Sequence, residues 1–230
     1  MKAKRGDENR KVNSNSRPKE NKVLILNHRT VIGRRRRAKM ETKILGAALR
    51  VFGEKGRDAP VIDDFIKAAG ISRGTFYNYF KSTGDLLEAT SNWLSEDVQS
   101  AIDDDVCHIG DPALRHCTAM RLWMRRAEID AVWCAFVARV WFTDAKAASR
   151  DIRAALKAGR FRGVTLHSAE DLSLGTLRQA MLRLLRDCGL RGYGDEVVRG
   201  IMRGLGVKEN EIEEMMTIPL PELRAFSTRA

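Results

Sequence analysis

Apolar residues recur at three- and four-residue spacing along most of the chain. Because an α-helix has about 3.6 residues per turn, this spacing places them on one face of successive helices. The first pattern spans residues 38–55 and ends before Gly56, the second surrounds Phe65 and ends before Gly70, and a third short segment ends at Phe80. The sequence shows no convincing strand-like alternation, so it predicts an all-α fold.

The same pattern, broken at glycine-rich points, predicts a larger set of later helices. We expect them near residues 85–104, 112–128, 129–144, 147–160, 169–187 and 194–206. The chain is 43% hydrophobic and 31% charged, which is ordinary for a globular protein. No apolar run is long enough to span a membrane, and the N-terminus lacks the apolar core of a signal peptide. These features predict a cytoplasmic protein without a membrane partner.

The net charge of +11 is concentrated near the N-terminus. Residues 1–37 contain 13 Lys and Arg against 3 Asp and Glu, and they end in Arg34, Arg35, Arg36 and Arg37. Positive charge there opposes the dipole of the helix that follows, so the four arginines do not help the chain to fold. They are explained by a disordered basic arm that reaches into the DNA minor groove. A disordered segment that only increases solubility is the alternative.

Two short helices joined by Ala69-Gly70-Ile71-Ser72 have the spacing of a helix-turn-helix, whose second helix enters the major groove. At about 100° per residue, Phe76 and Phe80 fall within about 40° of each other and must face the core. The predicted DNA-binding set lies at the start and around the rest of this helix: Ser72, Arg73, Gly74, Thr75, Tyr77, Asn78 and Tyr79. A helical hairpin with aromatic packing is the alternative, but it gives no reason for tyrosines on the outer face.

Residues 42–88 resemble the DNA-binding domain of tetracycline-repressor (TetR) family transcription regulators. The resemblance rests on these matching residues: Ile44-Leu45, Ala47-Ala48, Phe52, Gly56, Ile62 to Phe65, the specific run from Ala68 to Phe80, and Leu86-Leu87. It implies a DNA-binding domain at residues 38–84 and a helical domain for effector binding and dimerisation at residues 85–230. Over the second domain the resemblance is only architectural.

The resemblance also implies roles for residues of the recognition helix. Thr75, Tyr77 and Tyr79 take the positions of phosphate contacts, and Arg73, Gly74 and Asn78 take positions near base edges. Three residues depart from the family pattern: Pro60 where a capping Thr is usual, Ile66 for a small Ala, and Thr83 for a Lys. We expect the arginine run to compensate for the charge lost at Thr83.

Two further sets of candidates follow from the resemblance. The effector pocket would be lined by Met120, Trp123, Met124, Trp133, Phe136 and Trp141, although an ordinary core explains each of them too. The interface of a homodimer would include Leu177, Met181, Leu184, Val197 and Ile201, although an amphipathic helix also suits a monomer core. A dimer is favoured because two recognition helices on a two-fold axis read a palindrome.

The chemistry of an enzyme is not visible in the sequence, which lacks the nucleophile-elbow, phosphate-loop and metalloprotease motifs. Cys107-His108 and His116-Cys117 bracket a loop, but their spacing matches no metal signature, and we expect neither a metal nor a cofactor. The leading hypothesis is a bacterial repressor, located on the nucleoid when bound to double-stranded DNA, that a small molecule releases from a palindromic operator. A DNA-organising or protein-regulated protein without a small effector is the alternative, and an activator is a third possibility.

Overall fold

The computed structural model describes residues 17–95, 100–141, 146–187, 190 and 192–223. Within these ranges the chain forms helices and turns without a strand, which confirms the predicted all-α fold. No described helix is long and apolar enough to cross a membrane. The chain divides into two compact units, Met1–Glu41 and Thr42–Ala230.

The described helices include two short π-helical segments that interrupt the second half of the chain. The elements are α1 (Arg17–Lys55), α2 (Ile62–Ala69), α3 (Arg73–Tyr77), α4 (Thr83–Leu94), α5 (Ser100–Val106), α6 (Pro112–Ile129), α7 (Ala131–Phe136), π1 (Val137–Trp141), α8 (Lys146–Lys157), α9 (Leu166–Glu170), π2 (Asp171–Gly175), α10 (Thr176–Leu184), α11 (Tyr193–Gly204) and α12 (Glu209–Thr217).

The first helix begins at Arg17, well before residue 38, where the apolar pattern starts. Residues 17–37 are therefore helical in the structure, whereas the sequence analysis expects them to be disordered. Lys, Arg and Leu in this segment have good helix propensity, and Pro18 stands in the first turn, where proline is tolerated. The remainder of the expected arm, residues 1–16, lies outside the described residues.

The helix-turn-helix is packed around a small aromatic core. The Phe52 and Phe65 rings of α1 and α2 have centroids 4.8 Å apart, and both side chains are at most 1% exposed. Phe76 of α3 and Leu86 of α4 are fully buried as well. These side chains fix the orientation of α3 on the surface of the domain.

The remaining helices are arranged around α6, which packs against α8, α10 and α11. Asp111 caps α6, where its Oδ1 accepts the Ala113 N–H at 3.0 Å and Pro112 occupies the first turn. Asp130 ends α6 and caps α7, because its Oδ1 accepts the Trp133 N–H at 3.0 Å. Asp111 and Asp130 thus define the two ends of α6.

Candidate nucleic-acid interface

The turn between α2 and α3 is fixed by the backbone of Gly70. This residue has φ 59° and ψ 48°, the left-handed conformation that favours glycine. The next N–H, that of Ile71, donates to Ile66 O at 3.1 Å. Ser72 then caps α3 by accepting the Thr75 N–H at 3.1 Å. This local geometry confirms the predicted helix-turn-helix.

The recognition helix α3 has one buried face and one exposed face. Phe76 is fully buried and Phe80 is 4% exposed, as their helical angles predict. Tyr77 is 50% exposed and stands edge-on to the Phe76 ring, with centroids 5.6 Å apart. Of the predicted DNA-binding set, the exposed members are Ser72, Arg73, Gly74, Tyr77 and Asn78, and the half-buried members are Thr75 and Tyr79. The exposed face is polar and carries a single large aromatic ring.

Gly74 lies on this exposed face without a packing reason for being glycine. A Cβ added there would contact only Ser72 Oγ, at 3.9 Å. The residue is in a helix, where glycine is less favourable than alanine by about 1 kcal/mol. The absence of a side chain at Gly74 therefore costs stability and leaves the surface of α3 open to close approach.

Ion pairs connect the elements of the helix-turn-helix. Arg73 Nη2 lies 2.5 Å from Asp63 Oδ1, and both side chains are exposed. Lys55 Nζ lies 2.5 Å from Asp64 Oδ1, and this hydrogen bond lowers the pKa of the Asp64 carboxyl below its ordinary value. The first pair holds the Arg73 guanidinium at the N-terminal end of α3.

The N-terminus of α2 is capped, although Pro60 stands where the resemblance leads one to expect a capping Thr. Val61 is the N-cap residue, and its N–H donates to Asp64 Oδ2 at 2.9 Å. This is one half of a capping box, in which a side chain of the first turn reaches back to the backbone. Asp64 thus supplies part of the capping that a Thr at position 60 would provide.

The four consecutive arginines lie within α1 and are all exposed. Successive residues of an α-helix are rotated by about 100°, so Arg34, Arg35, Arg36 and Arg37 point in directions spread around the helix axis. A helix in this conformation presents about two of them to any one partner.

A second candidate site is a polar cluster in the interior of unit Thr42–Ala230. His116 is 2% exposed, and its Nε2 lies 3.2 Å from Ser173 Oγ. Burial lowers the pKa of His116 to about 4, so its imidazole is neutral at pH 7. Asp151 is 4% exposed and accepts a hydrogen bond from Arg115 Nε at 2.9 Å. Polar groups are costly to bury, and clusters with shifted pKa values are typical of functional sites.

The sequence analysis singled out only His116 of this cluster, and paired it with Cys117. The structure separates the two: Cys117 Sγ lies 3.9 Å from Met216 Sδ, and burial raises the pKa of this thiol to about 12. Asp151 and Ser173 were missed because they are 36 and 57 residues from their partners, which no local motif can reveal. Among the described residues, no three His, Cys, Asp or Glu side chains are placed to hold a metal ion.

Comparison with known proteins shows what the helix-turn-helix and the fold are similar to. Residues 44–90 match the family model of bacterial regulatory proteins, tetR family. The structure resembles that of RolR in complex with resorcinol, with a TM-score of 0.59, 27% identity, and coverage of 83% of this chain and 99% of that chain. The helix-turn-helix region of this chain is therefore similar to that of bacterial regulatory proteins of the tetR family.

Two further comparisons give proteins that are named as regulators. YvdT of Bacillus subtilis (strain 168), an uncharacterised HTH-type transcriptional regulator, is 51% identical over 52 residues, which are 23% of this chain. The match spans 27% of the length of YvdT, about a quarter. FadR of Bacillus halodurans, a fatty acid degradation regulator, shares the fold with a TM-score of 0.57 at 18% identity. Both are named as regulators and not as enzymes.

The residues predicted to line an effector pocket are largely buried. Met120, Met124, Trp133 and Phe136 are each at most 2% exposed, Trp123 is half-buried, and the side chain of Trp141 lies outside the described residues. The Nε1 atom of Trp133 and the Oγ1 atom of Thr118 are buried without a hydrogen-bond partner among the described residues. Such buried polar atoms are rare and call for an explanation, of which a bound ligand is one.

Phe136 belongs to a joint between the tetR-type helix-turn-helix and the helical body. Its ring centroid lies 6.4 Å from that of Phe52, and a Cβ on Gly53 would stand 3.2 Å from the Phe136 backbone nitrogen. Arg139 of π1 donates to Gly53 O, at the C-terminal end of α1, at 2.5 Å. Arg178 of α10 donates to Ala138 O of the same π1 segment at 2.8 Å. A hydrogen-bonded route therefore runs from α10 through π1 to α1.

The predicted dimer residues divide into two groups. Leu177, Met181 and Ile201 are at most 4% exposed and belong to the core of a single chain, so they leave little surface for a partner. Leu184 and Val197 are half-buried. On the exposed side of α11, a Cβ added to Gly200 would meet nothing within 4 Å. No side chain therefore projects from the outer surface of α11 at Gly200.

Proposed function

We propose that this chain is a sequence-specific DNA-binding transcription regulator of the tetR family that inserts α3 into the major groove. The observation that carries the proposal is the polar, exposed face of α3 opposite the buried Phe76 and Phe80. The 27% identity with RolR over most of both chains supports the same role. Action on DNA places the chain in the bacterial cytoplasm, on the nucleoid when bound.

The exposed and half-buried residues of α3 take distinct roles in this proposal. Ser72, Thr75, Tyr77 and Tyr79 contact phosphates, which positions the helix without reading sequence. Arg73 and Asn78 contact base edges, and Gly74 lets the backbone approach the groove. Arg73 is paired with Asp63 in the free chain, and a guanine edge would compete with this carboxylate for its guanidinium.

We propose that the arginines Arg34, Arg35, Arg36 and Arg37 contribute phosphate contacts and compensate for the missing charge at Thr83. The helical conformation of this segment supports two simultaneous contacts rather than four. An arm extended in the minor groove would require this part of α1 to unfold on DNA. The salt dependence of binding reports the number of contacts, because each neutralised phosphate releases counterions.

We propose that DNA binding is regulated by a small molecule that binds in the body of the chain. The support for this proposal is a buried polar cluster, paired as Arg115–Asp151 and His116–Ser173, which contains the kinds of donor and acceptor that a hydroxylated ligand needs. RolR binds resorcinol, so resorcinol is the first effector to test. The route from α10 through Arg139 to Gly53 would carry the change to the helix-turn-helix. Release from the operator makes the chain a repressor, and DNA must then weaken effector binding by the same factor.

A DNA-binding protein without a small effector is the second candidate. The observation that favours it is the complete burial of Trp133 and Phe136, which are part of a packed core. Titration with resorcinol separates the two, since only an effector-regulated protein loses DNA affinity as the ligand saturates.

Two substitutions in α3 test the proposed function by their contrast. Tyr77→Phe removes a hydroxyl that is exposed and should weaken binding to all duplexes by a similar factor, about tenfold or less. Asn78→Ala should cost about 1–3 kcal/mol on the preferred site and relax base preference, because it removes a base-edge contact. Fluorescence anisotropy with the preferred duplex and a scrambled duplex measures both effects. A purely sequence-selective effect of Tyr77→Phe would contradict the roles assigned here.

A further inference from the structure

A cavity lies away from the His116 cluster and shares none of its residues. It is a partly open space of about 310 Å³ between α6, the start of α11 and the segment that follows α12. Its charged lining consists of two arginines and two carboxylates, Arg121, Arg125, Glu128 and Asp195, and its apolar lining includes Met124 and Leu220. A volume at the lower end of the range for ligand sites indicates a small molecule.

Arg121 is fixed in this cavity and has one unused terminal nitrogen. The side chain is only 7% exposed, and its Nε lies 3.2 Å from Asp195 Oδ1. Its Nη1 donates to Met215 O at 3.3 Å and to Ile218 O at 2.8 Å, at the C-terminal end of α12. Within the described part of the chain, Nη2 has no hydrogen-bond acceptor. The two N–H groups of Nη2 can therefore donate to a ligand in the cavity.

One turn further along α6, Arg125 is exposed and makes no hydrogen bond or ion pair with any described residue. The Glu128 side chain is held at the start of α11, because its Oε1 accepts the Gly194 N–H at 3.2 Å. A Cβ on Gly194 would stand 2.8 Å from both Glu128 Oε1 and Met124 Cβ. Glycine is therefore needed at position 194 for α11 to begin this close to α6. The second carboxylate oxygen of Glu128, Oε2, can accept a hydrogen bond from a ligand.

The cavity thus offers two guanidinium groups and two carboxylates whose charges cancel. A simple anion bound to the arginines would be repelled by the carboxylates of Glu128 and Asp195. A simple cation bound to these carboxylates would be repelled by the arginines. A molecule with one charge of each sign satisfies both pairs. A carboxylate suits the planar fork of an arginine, and an ammonium suits carboxylate oxygens.

We propose that this cavity binds a small zwitterion, an α-amino acid with an apolar side chain. Its carboxylate binds Arg121 Nη2 and Arg125, its ammonium binds the free oxygens of Glu128 and Asp195, and its side chain packs on Met124 and Leu220. The site is separate from the proposed effector cluster, and its existence does not depend on DNA binding.

Isothermal titration calorimetry with three probes tests the charge requirement. L-leucine is the zwitterion, N-acetyl-L-leucine carries only the negative charge, and L-leucinamide carries only the positive charge. We expect saturable binding of leucine with a Kd below about 1 mM, and binding of each capped compound weaker by about tenfold or more. Absence of saturable leucine binding, or equal binding of either capped compound, would overturn the proposal.

Two variants of the full chain place the ligand in this cavity. Arg125→Gln removes an exposed charge, and Glu128→Gln keeps an acceptor for the Gly194 N–H, so both should fold normally. Each should weaken leucine binding by about tenfold or more, whereas Arg153→Gln, an exposed arginine on α8 outside the cavity, should leave it unchanged. Circular dichroism confirms the fold of each variant. Wild-type affinity in both cavity variants would show that leucine binds elsewhere, against the proposal.

Discussion

Phe52→Ala is expected to lower the free energy of unfolding by about 3–5 kcal/mol and to abolish DNA binding. Phe52 is 1% exposed, and its ring packs on Phe65 within the helix-turn-helix and on Phe136 in the body. Removing the ring leaves a cavity at the point where the two parts of unit Thr42–Ala230 meet. Urea unfolding followed by circular dichroism measures the loss of stability.

Ile129→Ala is the matched control for this substitution. Ile129 is also apolar but 67% exposed, so its loss should change the free energy of unfolding by no more than about 0.5 kcal/mol. If Phe52→Ala unfolded at the same urea concentration as Ile129→Ala, Phe52 would not hold the joint together.

We propose that two copies of the chain pair through the outer surface of α11, and Gly200→Trp is then expected to leave the chain monomeric and to weaken operator binding by about a thousandfold or more. Helices that pack closely approach to about 8–10 Å, which an indole on the contact face would prevent. The substitution should not disturb the single chain, because a Cβ at Gly200 meets nothing within 4 Å. The loss of affinity follows because a single α3 reads only one half-site of a palindrome. Analytical ultracentrifugation gives the oligomeric state, and anisotropy gives the affinity.

Gly110→Trp is the control for the dimer experiment. Gly110 is exposed before α6, and a Cβ there also meets nothing within 4 Å, yet it lies outside α10 and α11. This variant should remain dimeric and bind DNA as the wild type does. A dimeric Gly200→Trp protein would show that the outer surface of α11 is not the interface.

The recognition helix is the part of the molecule that could be predicted best. The helical angles of Phe76 and Phe80 place both rings in the core, and the structure confirms their burial. The prediction succeeded because local spacing alone decides which face of a short helix is apolar. Helix boundaries were harder: the helix expected at 85–104 is described as α4 and α5, with residues 96–99 outside the described residues.

The interior of the body could not be predicted from local patterns. Apolar spacing identified Leu177, Met181 and Ile201 correctly as members of amphipathic helices, but it cannot tell a core face from a dimer face. The structure places all three in the core of one chain. The pairing of His116 with Ser173 depends on how distant helices pack, which leaves no trace in sequence spacing.

The most direct test of the account is fluorescence anisotropy of the full chain with DNA from upstream of its own gene, against a scrambled duplex, over a salt series. We expect specific binding that is about a thousandfold tighter than binding to the scrambled duplex, with both affinities falling as salt rises. Equal affinity for both duplexes, confirmed with duplexes selected from the whole genome, would contradict a sequence-reading regulator.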